Sequence, residues 1–459
     1  MIYDIIIIGA GASGLFAASN IKLNKNEKGL ILDKSKKPGL KLLMAGSGQC
    51  NLTHAGDIKD FVTHYGPNGK KVRSIIYNFS NDMLKDWFHS RGLKLITRED
   101  GKVFPESMSS RTVLDLFLKE AFLNGFELRQ SQNVTGISRI AKDNTYDSYT
   151  SQDATDDSCT DYTGINDSLI LKKSSEVVSD NSSNTEKSLF RIHAITPSGK
   201  ETYTARKVIV ATGGCSYPTT GSDGAIFSVL TDLGLELVPC RPALVPLSVE
   251  GYPYTELSGT SVKKAQVWIY EGRQRKKNSP TMRGDVLMTH RDFSGPGIID
   301  MSRYAKNGYT LEINWYPDKN ADTILSDLNA LRKGSKKQLI SVLTEYFPEL
   351  TQAHLRWLCH RSETDPARRF TDINSDTLKT LIRFITSDTF IISGNQGYKA
   401  AMATSGGISL SEISTSTMEC KKVPGLFILG EALDVDGDTG GYNLQFAFSS
   451  AMRAALSIK

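Results

Sequence analysis

The chain lacks any apolar run long enough to cross a bilayer. Its longest stretches, such as Ile5–Ile8, fall far short of the roughly 20 residues a spanning helix needs. That first run also lacks the flanks of a signal peptide, so a cytoplasmic protein with no membrane partner is expected. The six cysteines (Cys50, Cys159, Cys215, Cys240, Cys359, Cys420) include no Cys-x-x-Cys, which argues against a zinc site, a redox disulfide or a secreted scaffold. The clustered cations Arg332-Lys333 and Lys336-Lys337 have no regularly spaced aromatics among them. They read as solvated helix ends, and a nucleic-acid surface is not expected. What remains is a globular composition, 39% hydrophobic and 23% charged over 459 residues, enough chain to bury two cores.

The first thirty-three residues organise the rest. Asp4-Ile5-Ile6-Ile7-Ile8 runs into Gly9-Ala10-Gly11-Ala12-Ser13-Gly14, an apolar strand buried on both faces and closed by glycine. Helical spacing then continues to about Lys25. Gly-x-Gly-x-x-Gly at a strand-to-helix junction lets the backbone turn tightly and approach a pyrophosphate, whose charge the helix start favours. A second strand, Gly29–Leu32, ends at Asp33, placed to bond a ribose 2′-hydroxyl and to repel a 2′-phosphate. ADP-ribose of the FAD or NAD type therefore fits better than NADP, despite Lys34, Lys36 and Lys37.

The block Lys41–Asn51, with Gly46 and Gly48 among small residues, suits a loop packed against a flat ligand. Helices are expected at Lys71–Phe79, Asn81–Arg91 (capped by Ser80) and Thr112–Asn124. Short strands are expected at Gly101–Pro105, Phe126–Arg129 and Val134–Ile140. From Asp143 to Lys187 the composition turns to Ser, Thr, Asp and Asn. Ten acids and three bases give that segment −7, leaving about +12 on the remainder of a chain whose total is +5. It reads as a flexible acidic surface insertion in which Leu169–Leu171 could form one strand.

Order resumes at Phe190–Ile195 and at Lys207–Val210, a buried strand ending in Ala211-Thr212-Gly213-Gly214. In a doubly wound sheet such an end lies beside the first glycine turn. A helix is expected over Ser222–Leu233. Pro239, Pro242 and Pro246 mark a domain boundary, because prolines suit crossings better than strand interiors. Strands follow at Ser258–Tyr270 and Thr310–Trp315, then helices at Thr323–Arg332, Lys337–Tyr346, Gln352–Arg361 and Asp376–Ile385. The last seventy residues resemble the first domain again, with a buried strand at Gly425–Leu429 followed by Gly430-Glu431. An Asp434/Asp436/Asp438 loop comes next and lacks the glutamate of an EF-hand. Gly440-Gly441-Tyr442-Asn443-Leu444 opens a final helix whose N-terminus offers donors to a second anionic group of the same ligand. A dinucleotide framed at both ends points to non-covalent FAD, with NAD(P)H at most a dissociable donor.

Four blocks carry a family resemblance: Lys41–Asn51, Ala211–Pro218, Thr289-His290 to Gly295-Pro296, and Gly430-Glu431 through Gln445. Together they resemble the BaiN-like flavoproteins, a family that includes the aminoacetone-oxidase group. The resemblance spans nearly the whole chain except 143–187. It implies an α/β fold with a Rossmann-like FAD-binding domain on a doubly wound parallel sheet. A β-barrel-like domain carrying a small helical subdomain interrupts it. The expected limits are 1–240 and 388–459 for the FAD domain and 241–387 for the insert, β-rich over 241–317 and helical over 318–387. The family usually has Ser at the position of Ala45 and Arg at that of Gln49, and loss of the arginine removes a positive charge near the cofactor loop.

The expected cofactor contacts are Gly9, Gly11, Ala12, Ser13, Gly14, Asp33 and Lys34, then Lys41, Gly46, Asn51 and Val134. Ala211, Thr212, Gly213, Gly430, Glu431, Gly441, Tyr442, Asn443 and Leu444 complete them. Tyr217 and Tyr442 are candidates to stack near the ring or to pack, and Cys50 reads as a buried, inert thiol. His290, in a Gly-Pro-punctuated loop, is the candidate proton shuttle, with loop fixing as its alternative role. An FAD-dependent oxidoreductase acting on a small organic molecule is expected. A flavin-dependent RNA-modifying protein and a non-catalytic flavin redox sensor are the alternatives.

Overall fold

The computed structural model describes residues 1–140 and 189–458. The acidic insertion expected at 143–187, with its strand at Leu169–Leu171, lies outside the described residues. Ile5–Ile8 are at most 4% exposed because the strand Ile2–Ile8 sits mid-sheet, parallel to Gly29–Leu32 on one side and to Gly199–Val210 on the other. Phe126–Arg129 extends the sheet beyond Gly29–Leu32, and Leu426–Ile428 pairs in parallel with Gly199–Val210. The start of that long strand also forms an antiparallel meander with Leu189–Thr196 and Asn133–Ile140. The sheet is thus Rossmann-like, and the chain's last strand enters beside its middle.

The first helix spans only Ala12–Ala18, short of the expected end at Lys25. Ser19 Oγ bonds the Leu15 carbonyl and Asn20 Nδ2 the Phe16 carbonyl, so side chains take up carbonyls at its end. Ser80 caps Asn81–His89 by accepting from the Met83 N–H. Part of the Lys41–Asn51 block read as a loop is helical, over Leu40–Met44, followed by positive φ at Gly46, Ser47, Gly48 and Cys50.

Residues 247–395 hold a second apolar core, separate from that around the parallel sheet. Six strands close a barrel in the order Leu247–Val249, Phe293–Ser294, Thr281–Met288, Ser261–Tyr270, Thr310–Asn314, Asp388–Asn395. The last strand lies beyond 387, where the sequence reading ends the insert. It closes the ring by pairing with Leu247–Val249, while Asp388, buried, bonds Tyr254, Trp315 and Arg361. Helices Ala321–Arg332, Leu339–Tyr346, Gln352–Arg361 and Ser375–Thr386 form the helical part; Asn320, Thr351 and Asn374 cap three of them.

Pro239 and Pro242 lie inside a strand, Leu237–Ala243, rather than in an irregular crossing. The strand pairs only with Ala403–Ile408 and carries a bulge between Val238 and Arg241, so it is an edge where missing N–H groups cost little. These two strands lead into and out of the barrel unit. Among the described residues no helix is long and apolar enough to cross a membrane.

Candidate functional site

The carboxyl ends of Ile2–Ile8 and Gly199–Val210 open into a cavity of about 770 Å3. Leu244, which precedes the barrel, and Pro296 and Ile299 of the barrel unit also line it. The three fingerprint glycines have separate jobs. Gly9 has φ +105°, and a Cβ there would lie 2.5 Å from the Ala211 carbonyl. A Cβ at Gly14 would lie 2.0 Å from the Gly9 carbonyl, so this glycine brings helix and turn together. A Cβ at Gly11 would meet only the Ala211 carbonyl oxygen, at 4.0 Å, leaving its space to a ligand.

Gly9, Gly11, Ala12, Ser13, Asp33, Lys34, Lys41, Gly46, Asn51, Val134, Ala211, Thr212, Gly213, Glu431, Gly441, Asn443 and Leu444 all line this cavity. Asn51 Oδ1 and Thr212 Oγ1 are buried without a hydrogen-bond partner. Buried polar atoms are rarely left so, and two of them on one cavity wall fit a polar ligand. Asp33 accepts from the Ala10 N–H at 2.7 Å and the Ser35 N–H at 2.8 Å. Burial raises its carboxyl above the usual range, and those bonds oppose the rise. Lys34 is ion-paired with Asp223.

Glu431 is held from three directions. Its Oε1 accepts from the Thr404 N–H and Ser216 Oγ, both at 2.7 Å, and its Oε2 pairs with Lys41. Asn443 clamps its own loop through reciprocal 2.8 Å bonds to Gly437. Four residues fall outside the lining. Gly14 packs the helix, and Gly430 donates to Ser450 Oγ at 3.1 Å inside the protein. Tyr442 turns away and stacks on His64 at 4.0 Å; Tyr217 stays at the wall. His290 stands exposed in the turn between two barrel strands, because Thr289 folds that turn through its own bonds to Asp292. The structure does not bring His290 to the cavity. Burial pushes the Cys50 thiol up to about 12, which matches an inert core residue.

Sequence reasoning missed Arg98. It reaches Gln49 Oε1 at 2.6 Å, lies over the Phe104 ring and lines the cavity. A guanidinium therefore stands beside Gln49 even though residue 49 is not arginine. No sequence spacing links positions 49 and 98; only the fold does.

At the cavity end near the final helix, charged groups from both units meet. Arg303 of the barrel pairs with Asp438 at 2.6 Å and lies 3.2 Å from Asp436. Asp438 lines the cavity and also touches His64 Nδ1 at 2.9 Å. Asp300 accepts from the Thr439 N–H at 2.6 Å and Thr439 Oγ1 at 2.9 Å. Burial, then the nearby Asp438 charge, raises the Asp300 carboxyl to about 7. Asp434, the third acid of the loop, accepts from the Gly406 N–H and from Asn68.

Three curated relatives match over nearly full length. A ribosomal RNA dihydrouridine synthase of Escherichia coli is 27% identical over 99% of this chain and 97% of its own. One of Haemophilus influenzae is 28% identical over 99% and 98%. A 3-dehydro-bile acid delta(4,6)-reductase of Clostridium scindens is 26% identical over 98% and 97%. Residues 3–160 and 167–457 match the family described as HI0933-like protein Rossmann domain, and the chain belongs to that family.

Proposed function

We propose that this chain is an FAD-dependent reductase that adds hydrogen across a carbon–carbon double bond conjugated to a carbonyl. The observation that carries the cofactor assignment is the cavity wall itself, where Gly11 leaves open space and Asn51 Oδ1 and Thr212 Oγ1 lack partners. Gly11 with the following N–H groups would face the pyrophosphate, Asp33 the ribose, and the Gly440-Gly441 turn the far end of the cofactor. FAD, when bound, supplies a hydride equivalent. The relatives' names support the reaction type. A uridine ring and a 3-oxo-4,6-diene steroid differ in size and charge but offer the same electrophile.

Hydride addition at the β-carbon leaves an enolate that needs a proton at the α-carbon. Asp438 sits at the cavity wall and holds His64, whose side chain is 33% exposed. That pair gives protons a path from solvent to the wall, and Arg303 fixes its geometry. Among the described residues one dinucleotide fingerprint is present, so a nicotinamide donor would share the cleft with the substrate. Ping-pong kinetics are expected.

The test is a spectrum of the purified protein, anaerobic reduction with NADH and NADPH, and reoxidation by an enone steroid or uridine-containing RNA. Product mass should rise by two hydrogens. Colourless protein that cannot be reconstituted with FAD would refute the cofactor, and reoxidation by oxygen alone would refute the reaction.

A further inference from the structure

The hairpin of strands Ser261–Tyr270 and Thr281–Met288 carries a cluster of exposed cations. Over 261–288 stand seven cations (Lys263, Lys264, Arg273, Arg275, Lys276, Lys277, Arg283) against two acids, Glu271 and Asp285. All seven cations are exposed. Lys263, Arg275 and Arg283 have carboxylate partners in Asp285, Glu312 and Asp318. Among the described residues no carboxylate lies within ion-pair reach of Lys264, Arg273, Lys276 or Lys277. Asp285, which pairs with Lys263 and accepts from the Lys264 N–H at 3.1 Å, offsets part of the charge at that end, and the excess of cations left on one short element repels itself and attracts a polyanion.

The backbone arranges these charges in a row. The strand Ser261–Tyr270 buries Val262, then Ala265, Val267 and Ile269. A bulge between Val262 and Ala265, with Lys264 at φ +52°, shifts the alternation. Both Lys263 and Lys264 consequently face out. Farther along, Gln266 and Trp268 face Arg283 and Thr281 across the pair. Arg275 lies 4.0 Å over the Trp268 ring, so the face offers no bare apolar side chain to a lipid layer. At roughly 3.3 Å per residue the cations run along about 25 Å, enough to meet several successive phosphates.

The row begins at the cavity. Gly284 packs against Gly297, where a Cβ would lie 2.8 Å from the Gly297 Cα. Pro296 and Ile299, on either side of Gly297, line the cavity wall. A backbone docked on the hairpin would therefore reach the rim.

We propose that the 261–283 hairpin is the docking surface for an RNA substrate whose base enters the cavity. The substrate role rests on the reductase reading above; the binding itself does not. Phosphate contacts give affinity that falls linearly with the logarithm of salt, with a slope set by the number of contacts.

The experiment measures binding of a uridine-containing RNA stem–loop to the full chain across a salt series. Lys264→Glu/Lys276→Glu/Lys277→Glu should weaken binding roughly a hundredfold at low salt and flatten the slope by about two to three, with melting and flavin content unchanged. Lys333→Glu/Lys336→Glu/Lys337→Glu in the helical part should leave binding unchanged. The proposal is overturned by absent RNA binding, by loss in the helical variant alone, or by anionic phosphatidylglycerol vesicles binding where RNA does not. Binding that survives with no reduction of the RNA would uphold the surface and count against RNA as the substrate of the reductase.

Discussion

Arg303 of the barrel unit places Nη2 2.6 Å from Oδ1 of Asp438, in the loop before the final helix. The arginine side chain is 3% exposed, so this ion pair ties the two units together where water has little access. Removing one member of a buried pair strands its partners. Arg303→Leu would leave Asp436 and Asp438 close together without their cation, and should cost about 3–5 kcal/mol. Thermal melting at neutral pH measures it. An unchanged midpoint would mean that the two carboxylates find other partners or hold protons.

Asp300 gives a pH signature. Its folded-state pKa is raised to about 7 from 3.8, so the folded chain keeps a proton that the unfolded chain has lost. The stabilisation is fully present below the unfolded value and is lost as pH rises through the folded one. Over that window this group should lower stability by up to about 1.4 kcal/mol per pH unit. Asp33 and Asp436, also raised by burial, act in the same direction, so the readout is a comparison. Asp300→Asn should make the melting midpoint less pH-dependent than wild type between about pH 4 and pH 7. Parallel curves would place the titration elsewhere.

The first βα turn was legible because its chemistry is local: strand, glycines, helix and Asp33 follow one another within a few turns of chain. Much of the cavity wall was legible for the same reason, since Ala211–Gly213 follow a strand end and Gly441–Leu444 open a helix. What stayed hidden depends on long-range geometry. Arg98 and Gln49 meet only after Lys102–Pro105 pairs with both Thr53–His54 and Leu95–Thr97. Asp388–Asn395 looks no different from a strand of the other domain until it pairs with Leu247–Val249. The cations of 261–283 could be counted in the sequence, but only the fold says which have a carboxylate in reach.

Gly11 and Gly14 should fail in different ways. Gly11→Ala has open space around its new methyl group, so the protein should fold, melt normally without cofactor and bind FAD poorly. Gly14→Ala would put a Cβ 2.0 Å from the Gly9 carbonyl, and backbone cannot yield as a side chain does. It should lower soluble yield and melting temperature. Equal melting of the two apo variants would contradict this division.

Ile140 pairs directly with Leu189 across the antiparallel meander, so the described strands on either side of the insertion already end together. Replacing residues 141–188 with a two-residue Asn-Gly turn matches a hairpin geometry. Flavin content and melting should change little, because loop closure depends only weakly on length. A collapse of soluble yield would assign the segment a part in the fold.

The turn carrying His290 invites a catalytic reading from sequence, and the fold removes the grounds for it. The ring is exposed, its turn is held by Thr289 rather than by the histidine, and the residue is not at the cavity wall. His64 has the opposite placement, in contact with a wall carboxylate. His290→Ala should therefore leave turnover and FAD content within error of wild type. His64→Ala should slow turnover roughly a hundredfold, the lower end of the range for a lost proton-transfer group, with FAD content unchanged. Equal slowing by both variants would argue for a global effect on folding rather than a proton path. Slowing by His290→Ala alone would require that turn to fold over the cavity when substrate binds.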